Sequence, residues 1–330
     1  MMPSFPSLLQ RFFTDRLMGQ LSASAHTIAS YRDTFRLLLS FAAERFHRNP
    51  SDINMDQLDE TFATSFLDHL ENKLGSSVRT RNTRLAAIHA FFRYVAISEP
   101  SQTLRCHRVL AIPSKRYVRK PVEFLNRTEL DALIAAPDSL AWIGRRDRAL
   151  LALAAQTGLR NSELRALRVI DVTTGPGPHV RCQGKGRKMR CTPLRADVVA
   201  LLRSWLAERK GASNDPLFPS SRGGPLSADA LQRLVAKHAA NARRSCPSLI
   251  NKTVTPHKLR HAAAMELLHH GVDLSVIALW LGHESRETTE IYLHADMKLK
   301  EQALAHTTPS GIAPGRYKPQ DNLLVFLESL

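Results

Sequence analysis

Residues 255–294 read TPHKLRHAAAMELLHHGVDLSVIALWLGHESRETTEIYLH, and the helix signals in this stretch predict two successive helices followed by a shorter one. Thr255 and Pro256 are a capping residue and a first-turn proline, a pair typical of a helix start. Gly271 and Gly282 are placed to end the first and the second helix, because glycine adopts the left-handed conformation of a C-cap. These four residues fix where the polar side chains of the stretch fall.

Four of those polar side chains suit the binding of a phosphate. His257 and Arg260 are three residues apart and therefore share one face of the first helix. The planar guanidinium of Arg260 offers a fork of donors to a phosphodiester, and an imidazole beside it adds another hydrogen bond. His283 directly follows the second helix, and Tyr292 lies nine residues later, on the predicted third helix. The stretch therefore predicts a site for a single phosphate.

A further arginine follows a glycine turn upstream. The mostly apolar residues 143–157 predict a buried helix that ends at Gly158, and Arg160 comes two residues later. An arginine placed directly after a tight turn is held by the backbone as well as by its own side chain. This position suits a fixed phosphate clamp.

A β-hairpin is predicted between these two regions. Residues 179–194, HVRCQGKGRKMRCTPL, alternate in polarity around a GKG turn. Lys185 lies at the tip of this turn. Arg187 and Lys188 are close enough to take its place.

The motifs TGLRNSEL, HKLRH and LGHESRETTEIYLH resemble the signature boxes of the tyrosine recombinase family, the phage integrases and Xer-type site-specific DNA recombinases. The resemblance is strong over residues 125–295 and only general in the first hundred residues. All six catalytic positions of the family are matched without substitution, and the lysine of the family falls at the GKG position. The catalytic residues implied are Arg160, Lys185, His257, Arg260, His283 and Tyr292.

The resemblance implies a site-specific recombinase that works by transesterification. The Tyr292 phenol attacks a DNA phosphodiester and leaves a 3′-phosphotyrosine and a free 5′-hydroxyl. In the family, the two arginines and His283 stabilise the charge on the nonbridging oxygens, His257 accepts the phenol proton, and Lys185 protonates the departing oxygen. The site is expected to need neither a metal ion nor a cofactor.

The resemblance also implies the fold, which is mainly α with a small β-sheet. Residues 1–100 are predicted to form a four-helix core-binding (SAM-like) domain, and residues 123–308 a mixed α+β catalytic domain. The basic, proline-bearing residues 101–122 are interpreted as an interdomain linker. Residues 309–330 are interpreted as a tail that packs on a neighbouring protomer or back on its own domain.

The charge of the chain predicts a polyanionic partner. Its formal net charge is +16 at pH 7, and Lys and Arg outnumber Asp and Glu both in residues 1–122, 17 against 10, and in the remainder, 29 against 20. Double-stranded DNA is the partner implied. Seven basic residues are predicted to contact DNA: Arg79, Arg81, Arg84, Lys115, Arg116, Arg119 and Lys120. The alternative is that the helix residues form an ordinary solvated face and that the loop residues carry incidental charge.

Assembly and location are expectations of the same kind. We expect four protomers on two duplexes, because two strands must be cut at each site, and related recombinases are further candidate partners. No run approaches the roughly 18 apolar residues of a membrane span, and the first residues lack the apolar core of a signal peptide. A cytoplasmic location is expected.

The four cysteines form no CxxC and are read as reduced, with Cys182 and Cys191 considered to face each other across the hairpin.

Three rival interpretations of these motifs are possible. His257 and His261 have the spacing of a zinc-protease HExxH helix, but Lys258 stands where the water-activating glutamate belongs. A DNA-binding accessory protein of a mobile element would be expected to have lost a catalytic residue, and none is lost. A type IB-like topoisomerase would use the same tyrosine but reseal the original strand. Integration, excision, transposition and resolution all remain open as the biological role.

Overall fold

The computed structural model of the chain describes residues 4–118, 123–184, 188–283, 287–290 and 292. The chain divides into two compact units, residues 1–119 and residues 120–330. Both units are mainly helical, and a small sheet lies in the second, so the predicted fold class is confirmed. Within the described residues, no helix has the length and apolar character needed to cross a membrane. The predicted tail, residues 309–330, lies outside the described residues.

The N-terminal unit contains five α-helices within residues 4–118. Short polar side chains cap the starts of α2, α3 and α4, where Ser24, Asp59 and Ser77 each accept a hydrogen bond from a backbone N–H in the first turn. The first helix continues into a wider π-helical segment, Phe12–Gln20. The helices are α1 (Phe5–Arg11), α2 (Ala25–Phe46), α3 (Glu60–Asn72), α4 (Val78–Ser98) and α5 (Thr103–Leu110).

Aromatic side chains from three of these segments form the centre of this unit. Phe12, Phe35 and Phe91 are buried, and the ring of Phe91 lies edge-on to the other two, with centroids 5.5 and 5.3 Å away. Edge-to-face pairs stabilise an aromatic core beyond the burial of their area. Buried side chains of α3, among them Phe66, belong to the same cluster, so the four helices predicted for this domain share one apolar core.

The fifth helix corrects the interpretation of residues 101–122 as a linker. Cys106, Val109 and Ile112 recur at three-residue spacing and are buried in the core of the N-terminal unit. The many basic residues around them hid this apolar stripe, whose spacing indicates a helix face. The chain stays attached beyond α5, because the Lys115 N–H donates to Asn82 Oδ1 at 3.1 Å.

The second unit contains the hairpin and the predicted catalytic helices. Between residues 123 and 292, the described helices are α6 (Arg127–Ala135), α7 (Trp142–Thr157), α8 (Asn161–Ala166), α9 (Ala196–Arg209), α10 (Ala228–Ala242), α11 (Pro256–His269), α12 (Leu274–Leu281) and α13 (Glu287–Glu290). An antiparallel sheet in the order β1-β2-β3 is formed by β1 (Val172–Thr173), β2 (His179–Gln183) and β3 (Met189–Pro193).

The register of the hairpin corrects the interpretation of its two cysteines. Cys182 pairs with Arg190, and Cys191 pairs with Arg181. Because paired residues of an antiparallel sheet point to the same face and successive residues to opposite faces, the two thiols lie on opposite sides. Cys182 is buried and Cys191 is exposed.

Helix α7 lies at the centre of the second unit and leads to the candidate site. Most of its side chains are buried, and α9 and α11 pack against it. The helix ends at Gly158, which adopts the left-handed conformation with φ of 62°. The chain then turns directly into Arg160 and α8, so a buried helix positions the first candidate arginine.

Candidate active site

Arg260 is buried and binds two turns of the backbone. The Thr255 side chain caps α11 by accepting from the Lys258 N–H at 3.3 Å, and Arg260 follows in the first turns. Its side chain is only 3% exposed, and it donates to the Gly158 carbonyl at 2.7 Å and the Leu281 carbonyl at 2.8 Å. Burial, together with the charge of Arg160, lowers the pKa of Arg260 to about 10, so the guanidinium stays charged at neutral pH.

Arg160 reaches the neighbouring carbonyl. Its Nη2 donates to the Gly282 carbonyl at 2.7 Å, while Nη1 donates to Glu163 Oε1 at 2.8 Å. Arg160 and Arg260 therefore bind consecutive carbonyls at the end of α12, directly before His283. Two residues that lie 100 positions apart in the chain meet at one turn.

The convergence of the two arginines requires glycine at position 158. A Cβ at Gly158 would lie 2.6 Å from Leu281 Cδ2 and 3.2 Å from the Ala263 Cβ. Any side chain there would separate α7 from α11 and α12, and the positive φ adds backbone strain for residues other than glycine. The TGLR motif is thus explained by close packing as well as by its arginine.

A buried carboxylate links Arg160 to the hairpin, and the sequence reasoning missed it. Glu163 Oε2 accepts from the Arg160 backbone N–H at 2.7 Å, and Arg190 of β3 donates to both carboxylate oxygens, at 2.9 and 2.7 Å. Burial opposes the ionisation of Glu163, but the hydrogen bonds from Arg190 and Arg160 prevail and lower its pKa to about 2. The only sequence signal is that Glu163 lies three residues after Arg160, where capping-box acids occur.

His283 lies next to the two carbonyls that the arginines bind. Its Nδ1 is 2.7 Å from the Thr289 hydroxyl of α13, a buried residue that the sequence reasoning also did not single out. Burial, reinforced by the charge of Arg260, lowers the pKa of His283 to about 4. The imidazole is therefore neutral at neutral pH.

Tyr292 is buried beside a different histidine from the one expected. The residue is 1% exposed, and its hydroxyl lies 3.0 Å from Nδ1 of His261, which the sequence analysis considered only as a zinc ligand. Burial raises the pKa of Tyr292 to about 12, whereas burial and the nearby His257 lower the pKa of His261 to about 4. At neutral pH the phenol is thus protonated and the imidazole neutral, so a single hydrogen bond joins the Tyr292 hydroxyl to Nδ1 of His261.

The remaining catalytic candidates lie close by or outside the described residues. His257 is exposed, and its ring lies edge-on to that of His261 at a centroid distance of 4.2 Å. Lys185 is not among the described residues, but Gly184 directly before it is. A Cβ at Gly184 would lie 3.4 Å from Glu163 Oε1, so the strand that leads to Lys185 ends beside the Glu163 carboxylate.

The predicted DNA contacts of α4 differ in their accessibility. Arg79 is exposed, but Arg81 is only 4% exposed and donates to the Pro113 carbonyl at 3.1 Å. Arg84 is half-buried and donates to the Ser30 carbonyl at 3.0 Å. The prediction for Arg81 is therefore corrected, because its guanidinium lies within the N-terminal unit. Periodicity alone did not reveal which arginines face inward.

The predicted contacts beyond α5 also divide. Lys115 forms an ion pair with Glu71, and Arg116 is exposed. Arg119 and Lys120 lie outside the described residues. The role of all of these residues in DNA binding stays a prediction.

The two neutral histidines predict a loss of stability in mild acid. The folded-state pKa values of His261 and His283 are lowered to about 4 from an ordinary value of 6.5. Because the unfolded chain binds these protons first, stability falls as the pH is lowered from about 6.5 towards 4. Glu163, with a pKa of about 2, stays ionised throughout this window.

Between pH 7 and pH 5 the melting temperatures of the wild type and of the His261→Gln variant should both fall. We expect the decrease to be a few degrees smaller for His261→Gln, because this variant lacks one of the two histidines. His270→Gln is the matched control. His270 is exposed and forms the C-cap of α11, and its variant should retain the wild-type pH dependence. Thermal denaturation followed by circular dichroism measures the difference. Equal pH dependence of all three proteins would contradict the assigned neutral state of His261.

Comparisons with known proteins show which family the chain resembles over most of its length. The phage integrase family model matches residues 123–298, and the phage integrase N-terminal SAM-like domain matches residues 10–98. A Sinorhizobium fredii protein named integrase/recombinase y4rC is 53% identical over 99% of this chain and 98% of its own. The tyrosine recombinase XerD of Pseudomonas putida is 31% identical over 94% of this chain and 100% of its own.

A solved structure extends the likeness to three dimensions. The XerH site-specific recombinase, bound to its difH substrate in a pre-cleavage complex, is 25% identical, with a TM-score of 0.65. The match covers 93% of this chain and 86% of XerH. The family match spans more than half of the chain and includes the turn where Arg160, Arg260 and His283 meet. The chain belongs to the phage integrase family of tyrosine recombinases.

Proposed function

We propose that Arg160, Arg260 and His283 bind one phosphate of a recombining DNA strand and that Tyr292 is the nucleophile that attacks it. The observation that supports this proposal is the meeting of two guanidinium groups at the adjacent carbonyls of Leu281 and Gly282, directly before His283. Donors fixed by backbone hydrogen bonds need little reorganisation when charge develops on a phosphate.

The reaction that these residues would carry out conserves one phosphoester bond. A bond forms between the Tyr292 oxygen and phosphorus, and the bond from phosphorus to the 5′-oxygen breaks. The phenol proton passes to His257, and Lys185 protonates the departing 5′-oxygen, which leaves as a hydroxyl. Attack by a 5′-hydroxyl from the partner duplex then releases the tyrosine, so no external energy source or ligase is needed. The expectation that no metal ion or cofactor takes part belongs to this proposal.

The neutral state of His283 sets which of its nitrogens serves the phosphate. A neutral imidazole carries one N–H. When the Thr289 hydroxyl donates to Nδ1, the hydrogen resides on Nε2, which is free to donate to a nonbridging oxygen. We propose that Thr289 fixes this tautomer, as hydrogen-bonded groups commonly do for functional histidines.

The buried position of Tyr292 means that cleavage requires a movement. With 1% of the residue exposed, the phenol oxygen cannot reach a phosphate that lies outside the protein. We propose that the hydrogen bond to His261 belongs to a resting arrangement and that it breaks when DNA binds. His257, which is exposed on the same helix, then becomes the acceptor of the phenol proton.

The partners of the protein extend this proposal. The solved XerH structure contains bound difH DNA, and the net charge of +16 favours the same class of partner here. We propose a synapse of four protomers on two duplexes, with related recombinases as further candidate subunits, and a cytoplasmic location. Among the predicted contacts that the structure describes, Arg79, Lys115 and Arg116 are exposed, as contact with DNA phosphates requires, and Lys115 is also paired with Glu71.

Replacing Arg160 by alanine should reduce DNA cleavage by roughly 100-fold to 1,000-fold, because one of the donors that hold the transition state is lost. The substrate is a nicked suicide duplex that carries a cognate site, incubated in buffer with EDTA, and the covalent adduct is quantified on denaturing gels. DNA binding should persist, since the rest of the basic surface is unchanged.

Arg165→Ala is the matched control for this experiment. Arg165 lies on the same helix, α8, that follows Arg160, but its guanidinium donates to Asn161 Oδ1 and to the Leu226 carbonyl. Its adduct yield should stay close to that of the wild type. Full cleavage by Arg160→Ala would refute the clamp, whereas no adduct from the wild type itself would favour a DNA-binding accessory protein.

A further inference from the structure

We propose that Arg190 is a positioning residue whose charge keeps Glu163 from neutralising Arg160. The inference rests on the proposed role of Arg160 as a phosphate clamp and adds a residue outside the six implied catalytic positions. Arg190 lies on β3 and pairs with Cys182 of β2, so the hairpin itself delivers the guanidinium to the site.

The geometry places one carboxylate between two guanidinium groups. Glu163 is buried, and its two oxygens accept from Arg190 at 2.9 and 2.7 Å in a bidentate arrangement. The same carboxylate accepts from Arg160 Nη1 at 2.8 Å, through the oxygen that also binds Arg190 Nη1. Arg160 thus uses one nitrogen for Glu163 and leaves Nη2 directed at the Gly282 carbonyl.

Charge balance explains why two arginines share this carboxylate. A buried carboxylate with a single arginine partner would form a bidentate pair with it, because such pairs are the strongest available. Arg160 would then turn both nitrogens towards Glu163, and its charge would be cancelled where a phosphate needs it. With Arg190 in place, the two arginines and Glu163 together keep one net positive charge beside His283.

Close packing supports a dedicated position for Arg190. A Cβ on Gly282 would lie 2.7 Å from Arg190 Nη1, and a Cβ on Gly184 would lie 3.1 Å from the same atom. The guanidinium is therefore enclosed by two glycines, one before His283 and one before Lys185. A shorter or differently shaped cation would leave this space unfilled, which is why the bidentate fork of arginine is required.

The experiment compares Arg190→Met with the double variant Glu163→Gln/Arg190→Met in the suicide-substrate assay. Arg190→Met should slow cleavage by roughly tenfold to 100-fold, because Arg160 is drawn to the unbalanced carboxylate. The double variant also lacks the carboxylate charge, so Arg160 is released. It should cleave at least roughly fivefold faster than Arg190→Met. If Arg190 had only a structural role, adding Glu163→Gln would not be expected to increase the cleavage rate.

Two controls keep the outcomes distinct. Arg145→Met breaks another bidentate arginine–glutamate pair of the same unit, with Glu208, and should leave cleavage close to the wild-type rate. Thermal unfolding and DNA affinity identify variants that fail to fold or bind, and only folded variants are compared. If Arg190→Met destroys the fold, Arg190→Gln replaces it, with and without Glu163→Gln, because glutamine also removes the charge but can still form hydrogen bonds.

The inference fails if Arg190→Met, or its glutamine substitute, cleaves at the wild-type rate. It also fails if the double variant is as slow as the single one. A wild type that forms no adduct, or an Arg160→Ala variant that cleaves fully, would instead refute the proposed function on which the inference rests.

Discussion

The Tyr292→Phe variant is expected to form no covalent protein–DNA adduct. Phenylalanine retains the ring that packs with Ile277 and Leu281 but lacks the oxygen that would bond to phosphorus. Loss of the hydrogen bond to His261 should cost about 1 kcal/mol of folding stability, too little to unfold the unit. DNA affinity should be unchanged, because the substitution removes no charge.

The measurement is a time course of adduct formation on the nicked suicide duplex, with binding followed separately by mobility shift. Tyr94→Phe, a half-buried tyrosine of α4 in the N-terminal unit, is the matched control and should form adduct normally. An adduct formed by Tyr292→Phe would show that another side chain is the nucleophile.

The Arg260→Lys variant is expected to lose roughly 100-fold to 1,000-fold in cleavage rate although it keeps the positive charge. Arg260 binds the Gly158 and Leu281 carbonyls with two different nitrogens, 2.7 and 2.8 Å away. A lysine ammonium is a single point of charge and cannot hold both turns while it contacts a phosphate. DNA affinity should change little, because the net charge is the same.

Arg243→Lys provides the comparison for this substitution. Arg243 also donates to two main-chain carbonyls, those of Leu249 and Lys252, but it belongs to the end of α10. Its replacement should leave the cleavage rate of the folded protein near that of the wild type. The measurement is the single-turnover cleavage rate of the wild type, Arg260→Lys and Arg243→Lys. A rate for Arg260→Lys within tenfold of the wild type would argue against a role for the two-nitrogen fork of Arg260.

Local signals were sufficient to predict most helix boundaries near the site. Thr255 caps α11, and Gly158 and Gly282 end α7 and α12 in the left-handed conformation, as their residue types predict. These signals act within a single turn of backbone, so they can be recognised in the sequence without knowledge of the tertiary fold. The hairpin between His179 and Pro193 was predicted for the same reason.

Contacts between distant segments could not be predicted in this way. The pairing of Glu163 with Arg190 joins α8 to β3, and the contact of Tyr292 with His261 joins residues 31 positions apart. Neither pair has a spacing that marks it in the sequence. The helix at Thr103–Leu110 was missed for a different reason, since dense positive charge concealed its narrow apolar face.

Arg160 and Arg260 bind main-chain carbonyls at the Gly158 turn and at the end of α12 rather than partner side chains alone. Every amino acid presents the same carbonyl group, so mutational drift at most surrounding positions leaves these partners intact. Substitutions on the exposed surface can therefore accumulate over evolutionary time while the positions of Arg160 and Arg260 stay constant.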